Sequence, residues 1–184
     1  AMKYAAPVRR ELGIRTIFNI LGPLTNPANA RHQLLGVSDS TIGYKMVEAL
    51  QKMGSRHSWV VHGRDGLDEL TLGELTDVWE LSDNQIRSFT IDPTHLGLPR
   101  AEITELKGGG PEDNAIIIRN IFSSDTGAPR NIVLLNSAAI FMVNGNTKDI
   151  REAIKLSSEI IDSGHALKKL EALIEKTNGF KYDS

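Results

Sequence analysis

Cysteine is missing from all 184 residues of the sequence. Its absence excludes disulfide bonds and thiolate metal sites, and it is compatible with a cytoplasmic protein. An apolar run that could cross a bilayer is also missing, because the most apolar stretch, residues 131–145, is short and contains Asn136 and Ser137. Lys3 and Arg9 are not followed by an uninterrupted apolar core, so we predict no signal peptide and no membrane partner.

An excess of charge of one sign is missing as well. The net charge is -2 at pH 7, which predicts no broad electrostatic attraction to nucleic acid. Hydrophobic residues make up 40% and charged residues 24% of the chain, as in ordinary soluble globular proteins. The length is sufficient for one domain with a sizeable core.

Residues 31–63 have the pattern of a strand, a helix and a second strand. Strands are predicted over residues 31–37 and 57–63, the second from its β-branched and aromatic side chains. Between them, apolar residues recur at helical spacing over residues 40–54, where Ser40 can cap the helix and Gly54 can end it. Such a unit favours a parallel pair of strands.

The remaining patterns predict more strands and then mostly helices. Short strands, in a meander or at a sheet edge, are predicted over residues 67–72, 75–82 and 85–91. Helices are predicted over residues 6–13, 131–145, 147–164 and 165–179, and a loop over residues 91–99. Within residues 106–122, three glycines lead into a further helix that has Pro111 in its first turn. We therefore expect an α/β fold that is rich in helices toward its C-terminus.

Two adjacent acids, Asp68 and Glu69, follow the strand predicted at residues 57–63. In open α/β sheets, ligands bind beyond the carboxyl ends of the strands. A pair of carboxylates suits Mg²⁺, which keeps several waters and often bridges to the phosphates of a substrate. From the dipeptide alone a solvated acidic turn is the better interpretation, because Asp and Glu are mostly exposed in any case.

Three glycines, Gly108 to Gly110, precede the helix that contains Pro111. Glycines before a helix can present N–H groups to an anion. The spacing matches neither the P-loop nor the dinucleotide motif, and Glu112 and Asp113 would repel an anion. A structural loop and helix start is therefore favoured. The five histidines show no metal-ligand spacing.

Residues 18–27 combine two prolines, a glycine and two asparagines with apolar side chains, which predicts a rigid loop. Arg9 and Arg10 precede it and point in different directions if they lie on a helix. Arginine suits a carboxylate ligand because its guanidinium offers two parallel donors. For two arginines alone, a solvated helix face is the better interpretation.

Four stretches, residues 1–28, 62–71, 108–115 and 134–139, resemble in the same order the motifs of the anthranilate phosphoribosyltransferase family. The resemblance implies transfer of phosphoribose from 5-phosphoribosyl diphosphate to the amine of anthranilate, with Mg²⁺, in tryptophan biosynthesis by a homodimer. It also implies a mainly parallel sheet flanked by helices, as in the large domain of the nucleoside phosphorylase/phosphoribosyltransferase fold.

The family's glycine-rich diphosphate loop and small helical N-terminal domain have no counterpart in the sequence. Residues 1–184 are therefore expected to be the C-terminal portion of the large α/β domain, and the chain alone to be inactive. The resemblance implies that Arg9 contacts the carboxylate of anthranilate and that Gly22 and Pro23 line the acceptor channel. It assigns Mg²⁺ binding to Asp68 and Glu69, in place of the solvated turn favoured by the dipeptide alone.

Two other functions stay open from the sequence. A pyrimidine nucleoside phosphorylase shares the fold and a phosphorylated sugar, although its motifs are not recognised here. A non-catalytic module that binds Mg²⁺ and phosphate, or pairs with a partner, would not need the diphosphate loop.

Overall fold

A computed structural model describes residues 24–179 of the chain. The described strands are β1 (His32–Gly36), β2 (His57–Gly63), β3 (Thr76–Ser82) and β4 (Gln85–Ile91). The described α-helices are α1 (Gly43–Lys52), α2 (Pro111–Phe122), α3 (Ala128–Asn144), α4 (Ile150–Asp162) and α5 (His165–Asn178). Short 3-10 turns lie at Ser40–Ile42, Pro93–Leu96 and Ile103–Glu105. The predicted helix over residues 6–13 lies outside the described residues.

The four strands form one sheet in the order β1-β2-β3-β4. β1 and β2 are parallel and α1 connects them, which confirms the predicted strand–helix–strand unit. β2, β3 and β4 are antiparallel neighbours and form a meander. A meander or a sheet edge was predicted here, with residues 67–72 as its first strand in place of β2. The fold is α/β as expected, but only one of the three described strand pairings is parallel, which differs from the expected mainly parallel sheet.

The antiparallel pairings follow from the connections between the strands. β3 and β4 are joined by Asp83 and Asn84 alone, both at positive φ (49° and 61°), as in a tight hairpin turn. The connection from β2 to β3 contains none of the helix that usually carries a parallel crossover, and β3 instead returns as an antiparallel neighbour of β2. The strand predicted over residues 67–72 was wrong, because this segment is an irregular loop between β2 and β3.

Helices cover both faces of the sheet. On one face, Met46, Val47 and Leu50 of α1 pack against a cluster that includes Leu35 and Val60 of the sheet. The other face packs against α3, in a cluster of buried residues formed by Trp59, Val61, Leu70, Leu72, Val78, Ile91, Leu98, Ala101, Leu135, Ala139 and Val143. The sheet is therefore the central layer of the described part of the chain.

The C-terminal helices match their predicted positions within a few residues. α3 ends at Gly145 and α4 is followed by Gly164, and both glycines have positive φ (78° and 75°), which favours glycine at a helix end. α3 packs on β1, on β2 and on α4. Within residues 24–179, no helix has both the length and the apolar character needed to span a membrane.

Candidate functional site

The two acids predicted to bind metal lie at the carboxyl edge of the parallel strands. β1 ends at Gly36 and β2 at Gly63, and the parallel register brings these two ends to the same edge of the sheet. Asp68 and Glu69 lie in the loop that follows β2, and both are exposed. They line a cavity of about 260 Å³ together with Leu34, Gly36, Val61 and Asn136. The predicted placement beyond the strand ends is confirmed.

The beginning of this loop is held by a turn around Asp65. Its Oδ1 accepts a hydrogen bond from the N–H of Leu67 (3.3 Å), and its Oδ2 accepts one from the hydroxyl of Thr71. The N–H of Gly63 donates to the carbonyl of Leu67 at 2.8 Å. Asp65 is therefore occupied in shaping the loop.

The loop is held directly after the acid pair by Asn136 of α3. The side-chain Oδ1 of Asn136 accepts a hydrogen bond from the N–H of Leu70 (3.0 Å), and its Nδ2 donates to the carbonyl of Leu70 (2.9 Å). The same Nδ2 also donates to the carbonyl of Ile132 (3.0 Å). Sequence reasoning missed this role. The sequence showed only that Asn136 and Ser137 are polar residues inside a mostly apolar stretch.

The middle of the loop lies directly on the end of β1. A Cβ atom added to Gly36 would lie 1.5 Å from the carbonyl oxygen of Asp68, which is far inside van der Waals contact. Only glycine permits this approach of one backbone to another. The backbone of β1 at Gly36 therefore packs directly against the backbone of Asp68, with no side chain between the two.

The carboxylates of Asp68 and Glu69 make no hydrogen bond or ion pair with any other residue in the described range 24–179. They differ in this respect from Asp65, whose oxygens are both engaged. Within the same range, no group of three or more His, Asp or Glu side chains is arranged to hold a metal ion. Two available carboxylates fit Mg²⁺, which takes one or two protein carboxylates and completes its shell with water and phosphate oxygens.

The basic side chain at the start of this loop, Arg64, forms an ion pair with β3. Nη2 of Arg64, the residue after β2, lies 2.8 Å from Oδ1 of Asp77. The hydrogen bond and the charge of Asp77 raise the pKa of the Arg64 guanidinium above its ordinary value. The guanidinium of Arg64 is therefore held at Asp77 of β3.

The glycine-rich stretch before α2 uses its backbone donors internally. The N–H of Gly109 donates to Oδ1 of Asn114 (3.0 Å), and the N–H of Gly110 donates to Oδ2 of Asp113 (3.1 Å). These two donors are thus occupied by side chains of the helix that they precede. The predicted structural loop and helix start is confirmed, because neither N–H group is available to an anion.

A family profile described as the glycosyl transferase family a/b domain matches residues 1–167. The chain belongs to this family.

Its relatives in this glycosyl transferase family include enzymes of one named activity. The chain is 49% identical to an anthranilate phosphoribosyltransferase of Dehalococcoides mccartyi over 95% of its own length and 52% of the relative. A structure of the Thermus thermophilus anthranilate phosphoribosyltransferase is 41% identical, with a TM-score of 0.85, and the match covers 93% of this chain and 50% of that one. The chain therefore spans about half the length of the relatives it matches.

A third relative was solved with ligands. The structure of anthranilate phosphoribosyltransferase from Saccharomyces cerevisiae in complex with PRPP and Mg is 29% identical and has a TM-score of 0.87. The match covers 97% of this chain and 52% of the yeast chain. The described fold is thus that of these enzymes over the matched half.

A further acid, Glu80, is buried in the sheet and is not part of the candidate site. Glu80 of β3 is 3% exposed and accepts hydrogen bonds from Nε1 of Trp59 and Nε2 of His57, each at 2.8 Å, and from Arg87. Burial alone would raise the pKa of Glu80, but the three hydrogen bonds outweigh it and leave the pKa below its ordinary value. Glu80 pairs with the amino-terminal half of β2, whereas the acid pair follows the carboxyl end. Its role is structural.

The residues assigned to the acceptor by resemblance, Arg9, Gly22 and Pro23, lie outside the described residues, as does Arg10. Their roles stay predictions.

Proposed function

We propose that this chain is part of an enzyme that transfers phosphoribose from 5-phosphoribosyl diphosphate to anthranilate, giving N-(5-phosphoribosyl)anthranilate and diphosphate. The reaction belongs to tryptophan biosynthesis. The 49% identity with an enzyme of that name supports the proposal. So does the fold shared with the yeast enzyme that was solved with PRPP and Mg.

The observation that carries the proposal is the placement of Asp68 and Glu69. They are exposed at the carboxyl edge of β1 and β2, they border a cavity, and they have no side-chain partner within the described residues. When bound there, Mg²⁺ would neutralise negative charge that develops on the departing diphosphate. The role of the chain is to hold the two carboxylates at one position, so that the donor is oriented toward the acceptor.

Arg9 and the Gly22–Pro23 turn are proposed to hold the acceptor. A flat aromatic acid needs a cation for its carboxylate and a stiff apolar wall for its ring. Arg9 would supply the cation through two parallel N–H donors, and Pro23 would stiffen the wall.

The proposal includes the organisation of the whole protein. Residues 1–184 would form the C-terminal portion of the large α/β domain, in a cytoplasmic homodimer. We expect the chain alone to be inactive, because catalysis by positioning fails when the site of one substrate is incomplete.

A chimera tests the activity. We would replace the matching half of the Thermus thermophilus enzyme with this chain and measure the loss of anthranilate fluorescence with saturating 5-phosphoribosyl diphosphate and Mg²⁺. Anthranilate-dependent turnover by the chimera, and none by the chain alone, is expected. Phosphorolysis of thymidine without anthranilate turnover would instead favour a nucleoside phosphorylase, and a folded chimera without either activity would contradict the proposed transfer.

A further inference from the structure

We propose that Asn136 is a positioning residue that sets the metal affinity of the acid pair by fixing the backbone of the loop that carries it. The inference rests on the proposed function, because it takes Asp68 and Glu69 as the metal ligands. It concerns a residue on a different element, 66 positions away from Leu70 in the sequence.

Asn136 holds Leu70 as a neighbouring strand would. It accepts from the N–H of Leu70 and donates to the carbonyl of the same residue, at 3.0 and 2.9 Å. Leu70 directly follows Glu69, so these two bonds restrain the backbone on the C-terminal side of the acids. The side chain of Leu70 is fully buried, which makes the attachment point a fixed one.

The amide of Asn136 is itself restrained. The second N–H of its Nδ2 donates to the carbonyl of Ile132, so both amide donors and the amide oxygen of Asn136 are in use. Rotation of the amide by half a turn would place its oxygen against two carbonyl oxygens. The residues beside it on α3, Leu135, Ala138 and Ala139, are fully buried in the core. The helix therefore provides a rigid support for the amide.

The other contacts of the loop do not replace the two hydrogen bonds between Asn136 and the backbone of Leu70. The turn at Asp65 fixes the backbone before the acids, and the end of β1 limits how far Asp68 can move toward the sheet. Among the hydrogen bonds described for residues 24–179, only those of Asn136 hold the backbone of Leu70, the residue directly after Glu69. The next residue, Thr71, is held separately by its bonds to Asp65 and Thr76. Without Asn136, the two carboxylates would sample more orientations, and a metal would have to order them on binding. Residues that orient metal ligands typically contribute about 10- to 100-fold to affinity.

Manganese binding to the 184-residue chain is the direct test. Mn²⁺ prefers the same oxygen ligands as Mg²⁺. The concentration of unbound Mn²⁺ is measured by electron paramagnetic resonance. We expect Asn136→Ala and Asn136→Leu to weaken Mn²⁺ binding by about tenfold or more. Leucine retains most of the volume, so it separates the hydrogen bonds from packing. Asn144→Ala removes an exposed amide from the same helix and is expected to leave binding unchanged.

Amide hydrogen exchange supplies a second readout. The N–H of Leu70 is expected to lose protection in both Asn136 variants, while α3 keeps its own protection. Titrations are run at a temperature at which circular dichroism shows each variant to be folded. Mn²⁺ affinity equal to that of the unchanged chain, in a folded variant whose Leu70 N–H has lost protection, would overturn the inference.

The double variant Asp68→Asn/Glu69→Gln separates this result from a failure of the proposed function. If the double variant binds Mn²⁺ as the unchanged chain does, the acid pair is not the metal site, and both the proposed site and the role of Asn136 are wrong. If the double variant loses Mn²⁺ binding and the Asn136 variants do not, only the role of Asn136 is wrong.

Discussion

Three carboxylates around β2 have different roles because they have different neighbours. Glu80 is buried and receives three hydrogen bonds, which stabilise its charge within the sheet. Asp68 and Glu69 are exposed and receive none within the described residues, so their charges are available to a ligand. The number of donors around each acid therefore separates a structural carboxylate from a candidate functional one.

The lowered pKa of Glu80 predicts a loss of stability in acid. Its charged form is favoured in the folded chain, so the stabilisation is present above its ordinary pKa of 4.5 and is lost as the pH falls below that value. Glu80→Gln is expected to reduce the free energy of unfolding at pH 7 by roughly 1.5–3 kcal/mol, as for hydrogen bonds to a charged group. It should also flatten the decrease in stability below pH 4.5.

Urea unfolding at pH 7 and at several lower pH values measures both effects. The flattening should be partial, because hydrogen bonds from Thr94 and Ser124 lower the pKa values of Asp92 and Asp162 in the same direction. A variant with the same pH dependence as the unchanged chain would show that Glu80 is not ionised in a stabilising network.

At the scale of elements, the candidate site is made where a loop, a strand end and a helix meet. The loop after β2 carries the acids, β1 supports it at Gly36, and α3 holds it through Asn136. Neither of the two contacts with the loop is local in sequence. The geometry of the acid pair thus depends on how β1 and α3 pack against β2.

The contact between Gly36 of β1 and the acid loop predicts that a methyl group added at Gly36 destabilises the fold and weakens metal binding. In Gly36→Ala, the new Cβ would overlap the carbonyl oxygen of Asp68, so the loop must move away from the sheet. We expect a decrease of about 1–3 kcal/mol in the free energy of unfolding, as for other overpacked sites, together with weaker Mn²⁺ binding.

Gly110→Ala is the matched control, since the nearest atom to a Cβ at that position is 3.7 Å away and φ is -68°. Urea unfolding and Mn²⁺ titration of both variants measure the effects. Equal behaviour of the two variants would contradict the close approach of β1 to the acid loop.

The sequence predicts those elements whose signals are local. Helix α1 and strands β1 to β4 follow from apolar periodicity and turn residues, and the helix ends at Gly145 and Gly164 from the freedom of glycine to adopt positive φ. Residues 67–72 are predicted as a strand because they form one of several short segments separated by turn residues, and they include Leu70 and Leu72. Both leucines are buried, but the backbone of Leu70 is bound by a side chain from α3 instead of by a strand.

The acid pair was visible in the sequence and gained its significance from the resemblance, whereas Asn136 was not visible as a site residue. Adjacent acids after a strand are a local pattern. The partner of Asn136 is 66 residues away, and its contact exists only after β2 and α3 have packed together. The expected mainly parallel sheet came from the family resemblance, whereas the local pattern of short strands after β2 allowed the antiparallel pairings that the structure has.

At the scale of the whole molecule, the described part is a sheet covered by helices on both faces, with the acid pair at the edge where its two parallel strands end. The chain spans about half the length of its relatives. Beyond the acid pair and the acceptor residues proposed within this chain, the remaining substrate contacts are proposed to come from segments that match the rest of those enzymes. In the proposed function, the described part of the chain presents two carboxylates on a rigid support.

The Mg²⁺ dependence of the chimera with the Thermus thermophilus enzyme tests this claim most directly. Anthranilate turnover would be titrated with Mg²⁺ at a fixed concentration of 5-phosphoribosyl diphosphate, for the chimera and for its Asp68→Asn/Glu69→Gln variant. The account predicts that the variant needs at least tenfold more Mg²⁺ for half-maximal turnover, or shows no turnover, because the metal loses its protein ligands. A variant with unchanged turnover at limiting Mg²⁺ would contradict it.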